Sequence, residues 1–147
     1  MDKQTDLITE ISHAFATVEY PKKGFFQAIA ERDYLEWDSQ NDKKKIWHDI
    51  SVDELVKYYD FLFFLDSDGI QYYLPTYMIL ILENPELYDH HCFDCLLMTV
   101  TKLNHSVLLK EQWCVVKSFV AYCRDVISQE IELDEDLVER SWNHIPK

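Results

Sequence analysis

Residues 72–82 read Tyr72-Tyr73-Leu74-Pro75-Thr76-Tyr77-Met78-Ile79-Leu80-Ile81-Leu82. A helix that is apolar on all sides has no face to offer solvent, so it must lie at the centre of a bundle. The stretch falls short of the ~18 apolar residues of a membrane span. Pro75 suits the first position of a helix, and the residue before a proline avoids helical backbone. The pattern therefore predicts a helix over Thr76–Glu83, closed by Asn84-Pro85, with a short extended segment at Ile70–Leu74 before it. Leu74 and Tyr77 are expected in the core, with the bend packed against the helix at Lys110–Ile127. Tyr72 and Tyr73 have two readings: core rings whose hydroxyls cap nearby backbone, or an aromatic recognition surface of the kind enriched at interface hot spots.

The flanking sequence is helical in period. Leu7, Ile8, Ile11, Ala14, Phe15 and Val18 make an apolar stripe over Asp6–Glu19, with Thr5 as N-cap and Pro21 beyond the stop. A second helix is expected over Phe25–Trp37, with Phe26, Ile29, Ala30 and Trp37 near one face. Polar Ser39–Lys45 reads as a loop. Ser51-Val52-Asp53-Glu54 is a capping box that opens a helix to about Leu65. Asp66-Ser67-Asp68-Gly69 ends that helix, with Gly69 at positive φ. Glu86–Leu103 is read as a helix despite the strand-like Thr99-Val100-Thr101. Lys110–Ile127 carries Trp113, Val116, Phe119, Val120, Cys123 and Ile127 at helical spacing. Asp134–Asn143 starts with acids that suit the positive end of the helix dipole. The expected architecture is mainly α: a compact single domain over 1–147 with about six to seven helices. The acidic C-terminal segment 128–147 packs as its last helix.

Composition narrows the function. The chain has 147 residues, 48% of them apolar, and only two glycines. Clustered glycines are needed for a Rossmann turn or a P-loop, so phosphate cradles of that kind are excluded. Twenty-seven acids against fourteen bases give a formal charge of −13. Phosphate polymers and anionic membrane surfaces are repelled, and the short Lys43-Lys44-Lys45 run does not reverse this. A basic protein partner is attracted instead. The N-terminal residues lack the cationic start and apolar stretch of a signal peptide, so a cytoplasmic location with reduced cysteines is expected. No feature sets an oligomeric state.

Candidate chemistry is sparse. Asp89-His90-His91-Cys92-Phe93-Asp94-Cys95 gathers possible metal ligands, and on a helix His91 and Cys95 lie four apart. A structural zinc wants two such pairs, and neither Cys114 nor Cys123 completes a second. Glu10-x-x-His13 is a di-iron spacing that occurs once where such sites need it twice. No nucleophile elbow or catalytic cysteine context is present. The carboxylates of Glu130–Asp136 match a solvated acidic face as well as a catalytic pair. No cofactor and no catalytic residue is expected.

Trp47-His48-Asp49-Ile50, Phe64-Leu65, Gly69, Tyr72–Met78 and Leu109-Lys110-Glu111-Gln112 together resemble a family of bacterial domains of unknown function. Its pattern is Ile-x-x-x-Phe in the first helix (here Ile11 and Phe15), a Trp-x-x-Ile step, a Tyr-Tyr-Leu-Pro-x-Tyr stretch and a Glu-Gln-led helix. The resemblance covers roughly Asp6 to Tyr122 and implies no activity. The leading expectation is a non-enzymatic acidic protein, immunity- or adaptor-like, that meets a basic partner through Tyr72, Tyr73, Glu132, Asp134, Glu135 and Asp136. The alternative is a metal-binding domain or metal-dependent enzyme using His90, His91, Cys92 and Cys95.

Overall fold

The computed structural model describes residues 2–37 and 44–147. Most of the expected Ser39–Lys45 loop lies outside them. Seven α-helices are present among the described residues: α1 Lys3–Ala14, α2 Phe25–Arg32, α3 Val52–Lys57, α4 Ser67–Glu83, α5 His91–Lys102, α6 Lys110–Asp125 and α7 Glu135–His144. Short 3-10 turns at Trp47–Asp49, Phe61–Phe64, Pro85–Asp89 and Ile127–Gln129 join them, and the described residues contain no strand. The mainly α expectation holds.

The central helix is longer than its sequence suggests. Ile70–Leu74 is helical, not extended, and Pro75 lies inside α4 rather than at its start. Asp66 is the N-cap, so Asp66-Ser67-Asp68-Gly69 opens α4 instead of closing the helix before it. An internal proline removes one rung and disfavours the helix by about 3 kcal/mol. Burial outweighs this: every residue from Tyr72 to Met78 is buried, as are Ile81 and Leu82. Gly69 does not take a positive φ. Its role is close approach, because a Cβ there would sit 3.0 Å from a Leu65 methyl and 3.1 Å from the Leu65 Cβ.

One side of α4 carries hydroxyls at i, i+1, i+4 and i+5, and each reaches backbone in another segment. The Tyr72 hydroxyl accepts from the Trp47 amide at 3.3 Å. Tyr73 accepts from the Phe25 amide at 3.1 Å and donates to the Lys45 carbonyl at 2.7 Å. Thr76 donates to the Trp47 carbonyl at 2.9 Å, and Tyr77 to the Tyr59 carbonyl at 2.6 Å. These bonds satisfy buried polar groups that no helix ladder reaches. Around them Phe25, Phe61 and Tyr73 pack edge to face, with Phe25–Phe61 centroids 4.8 Å apart.

The same contacts explain where neighbouring helices stop. The Ser51–Glu54 capping box forms with both bonds at 3.1 Å. Yet α3 ends at Lys57 rather than Leu65, because Tyr77 claims the Tyr59 carbonyl and Arg32 pairs with Asp60. Helix α2 ends at Arg32, five residues before Trp37. Tyr34 turns left-handed at φ 58°, Leu35 N–H bonds the Ala30 carbonyl at 2.8 Å, and Tyr34 N–H bonds the Glu31 carbonyl. This is a Schellman closure with a tyrosine where glycine is usual. Of the residues expected on one face, Ile29 and Ala30 are buried, Phe26 is exposed within α2, and Trp37, beyond the helix end, is exposed as well. Asp2, not Thr5, caps α1 by accepting from the Thr5 amide at 2.8 Å. Residues 86–90 form a 3-10 turn and an extended step at His90 before α5 begins.

Helix α6 packs mainly on α1 and α7, while α4 packs on α1 and α5. The expected docking of the Leu74 bend on Lys110–Ile127 is therefore not the arrangement found. The two helices are linked instead through a polar side chain, fully buried Gln112. Its carbonyl oxygen accepts from the Leu109 amide and from Gln71 Nε2, both at 2.9 Å. Its Nε2 donates to the Ala14 carbonyl at 3.2 Å, so one side chain ties the end of α1 to the starts of α4 and α6.

Leu74 and Tyr77 are completely buried. Leu74→Ala is expected to lower stability by about 2–5 kcal/mol, the range for emptying a well-packed site. Denaturant unfolding checks this, and an unchanged midpoint would contradict the placement of α4 at the centre.

Candidate functional site

The expected interaction residues separate into two groups. Tyr72 and Tyr73 are buried, at 6% and 0% exposure, so they form no recognition surface. Burial raises both hydroxyl pKa values, which keeps them neutral hydrogen-bonding groups. Glu132, Asp134, Glu135 and Asp136 are all exposed. They lie on α7 and the turn before it, and α7 packs against α5 and α6.

The acidic segment is built by helix-start chemistry. Asp134 caps α7 by accepting from the Leu137 amide at 3.1 Å. Glu135 and Asp136 follow in the first turn, where carboxylates favour the dipole. Asp136 pairs with Arg140 at 3.0 Å, one turn on. Asp94 of α5 extends the acidic surface: desolvation raises its pKa, and the charge of Asp134 raises it further.

Beside these residues α6 and α7 enclose an open cleft of about 480 Å³, lined by Arg124, Ser128, Glu135, Glu139, Trp142 and Asn143 among others. Glu135, Glu139 and Trp142 share a face at helical spacing. The Arg124 guanidinium carbon lies 4.2 Å from the centre of the Trp142 ring, and Lys117 Nζ lies 5.1 Å from it. Arg124 also donates through Nε and Nη2 to the Asp125 carboxylate, at 2.8 and 3.0 Å. That fork holds the Asp125 pKa below its ordinary value. The sequence marks Glu139 as part of the acidic segment and Trp142 as a residue for α7 to bury, but not as neighbours of Arg124 in a cleft. The spacing of Glu135, Glu139 and Trp142, at four and three residues, is the signal that puts them on one face.

The His90–Cys95 cluster does not assemble as a metal site. His90 is the residue before α5, with its Nδ1 buried and unpartnered. His91 is exposed, its ring 5.3 Å from that of Tyr59. Cys92 and Cys95 turn into the core, and desolvation pushes their thiols up to about 11 and about 12. Metal binding needs thiolates, which burial opposes. Among the described residues no three His, Cys, Asp or Glu side chains are grouped to hold a metal ion. That arrangement differs from the expected ligand set because His90 precedes the helix and His91 faces solvent, while Cys92 and Cys95 are buried on the core side of α5.

No helix among the described residues is long and apolar enough to cross a membrane. The chain matches the Family of unknown function (DUF6714) over residues 3–143. It belongs to that family; the match takes in the His90–Cys95 stretch and runs beyond the Asp6–Tyr122 span read from motifs into most of the acidic segment. No curated protein and no solved structure matches it significantly.

Of the four cysteines only Cys114 is exposed; Cys92, Cys95 and Cys123 are buried. An aromatic disulfide reagent is expected to label one thiol quickly in the folded protein and all four in denaturant. Fast labelling of Cys92 or Cys95 would contradict their burial and reopen them as ligands.

Proposed function

We propose that the chain is a non-enzymatic protein that binds a basic macromolecular partner, in the manner of an immunity or adaptor protein. The observation that supports the reading best is the concentration of exposed carboxylates at Glu132, Asp134, Glu135, Asp136 and Glu139. Within that stretch and the residue after it the one cation is Arg140, and it is already paired with Asp136. Added to a net charge of −13, this leaves a strongly negative surface on the first turns of α7 and the segment before it. Such a field steers a basic partner and disfavours acidic ones, which is a matter of association rate and specificity. The reading places the protein in the cytosol and assigns it no nucleic-acid, membrane or cofactor contact.

Affinity capture from the source cell at low salt tests the proposal. A protein of basic charge is expected to be retained, released by added salt, and lost when Glu132→Gln, Glu135→Gln and Asp136→Asn are combined. Retention of no macromolecule, or retention that ignores both salt and the triple variant, would contradict it.

A further inference from the structure

Exposed apolar side chains are not spread evenly over this protein. Eight large ones are exposed among the described residues, and five of them, Phe26, Tyr34, Leu35, Trp37 and Phe63, come from α2, the turn after it and the 3-10 turn at Phe61–Phe64. Helix α2 packs on that 3-10 turn, so the five belong to one region of the surface. We propose that this region is a docking surface for a basic amphipathic segment of a partner protein, with apolar side chains on one face and lysine or arginine beside them. The inference goes beyond the reading of the acidic segment, whose helix α7 packs on α5 and α6.

Exposure is the first sign. Tyr34 is 97% exposed and Leu35 65%. Single exposed apolar residues are ordinary, but a group of them in one place marks an interaction site. Tyrosine and tryptophan are the residues that most often anchor such sites. Backbone strain is an independent sign. Tyr34 holds φ 58° just past the end of α2, where glycine carries no steric penalty and tyrosine does. Its side chain stands almost wholly in solvent, so packing within the chain does not offset that penalty. A residue that strains its backbone and packs on nothing of its own is placed for contact outside the chain.

Charge complementarity selects the occupant. On residues 25–37 and 60–64 the carboxylates are Glu31, Asp33, Glu36 and Asp60, and the one cation is Arg32. Arg32 is already bonded to Asp33 at 2.9 Å and to Asp60. Glu36 is exposed and makes no ion pair among the described residues. An acidic occupant therefore meets no free cation on these segments, and a second copy of the chain brings its own charge of −13. A basic amphipathic segment meets carboxylates and apolar side chains together, which is the match such segments make with acidic apolar surfaces.

The test is calorimetric titration of the full chain with a helical peptide of leucine and lysine, about 18 residues long, whose leucines fall on one face. A peptide of the same composition with its leucines scattered controls for charge alone. The amphipathic peptide is expected to bind more tightly than the scattered one. Tyr34→Gly with Leu35→Ser should weaken it by about tenfold, as loss of two anchors implies. Tyr34→Gly alone separates docking from structure: it should weaken binding while leaving the thermal midpoint of the free protein unchanged or higher, because glycine relieves the left-handed strain. Met98→Ser removes an exposed apolar side chain from α5, outside the region, and should leave binding unchanged. Equal binding of the two peptides, or equal binding by the parent and the Tyr34–Leu35 variant, overturns the proposal. So does a lowered midpoint for Tyr34→Gly, which would give the ring a packing role, or light scattering that shows a dimer dissolved by Leu35→Ser, which would assign the surface to a second copy. None of these outcomes touches the carboxylates of α7, whose reading stands or falls on its own capture experiment.

Discussion

The row of hydroxyls on α4 organises this protein. Tyr72, Tyr73, Thr76 and Tyr77 each bond backbone that lies outside α4: the Lys45–Trp47 stretch, the first amide of α2 and the carbonyl of Tyr59. An apolar helix can bury other helices, but it cannot order irregular chain, because buried amides and carbonyls need partners. Tyrosine solves both problems, since its ring packs and its hydroxyl bonds. The irregular segment at residues 44–50 lies against the core with both polar groups of Trp47 satisfied in this way. Gln112 does the same work where α1, α4 and α6 converge.

This division explains what could be read from the sequence. Helix α6, the apolar stripe of α1 and the Ser51–Glu54 box were legible because each rests on local spacing. The bounds of α2, α3 and α4 were not, because distant partners set them. Pro75 and Gly69 look like punctuation in isolation, and both are inside α4 because burial on every side outweighs their local preferences. Lys57 ends α3 because Tyr77 and Arg32 claim the residues that follow. Gln112 shows no sequence sign of being a buried link, since a glutamine in a first helical turn is ordinary.

The candidate site shows the same pattern. The exposed acids from Glu132 to Asp136 follow from composition and helix-start preference. Their company does not: Trp142 and Arg124 meet only because α7 folds back on α6. The His90–Cys95 stretch fails the other way, as a dense set of ligand types in which the thiols face the core and His91 faces solvent. In a chain that belongs to a family of unknown function, these placements carry the functional argument.

Amide hydrogen exchange at Phe25 and Trp47 tests the central claim most directly. Both amides lie outside the helix ladders and are bonded by tyrosine hydroxyls in the core. The account predicts protection comparable to that of α4 itself, opening only with global unfolding, with Tyr72→Phe releasing Trp47 selectively. Exchange of both amides at the rate of free chain would contradict it, since α4 would then pack the core without holding the segments around it.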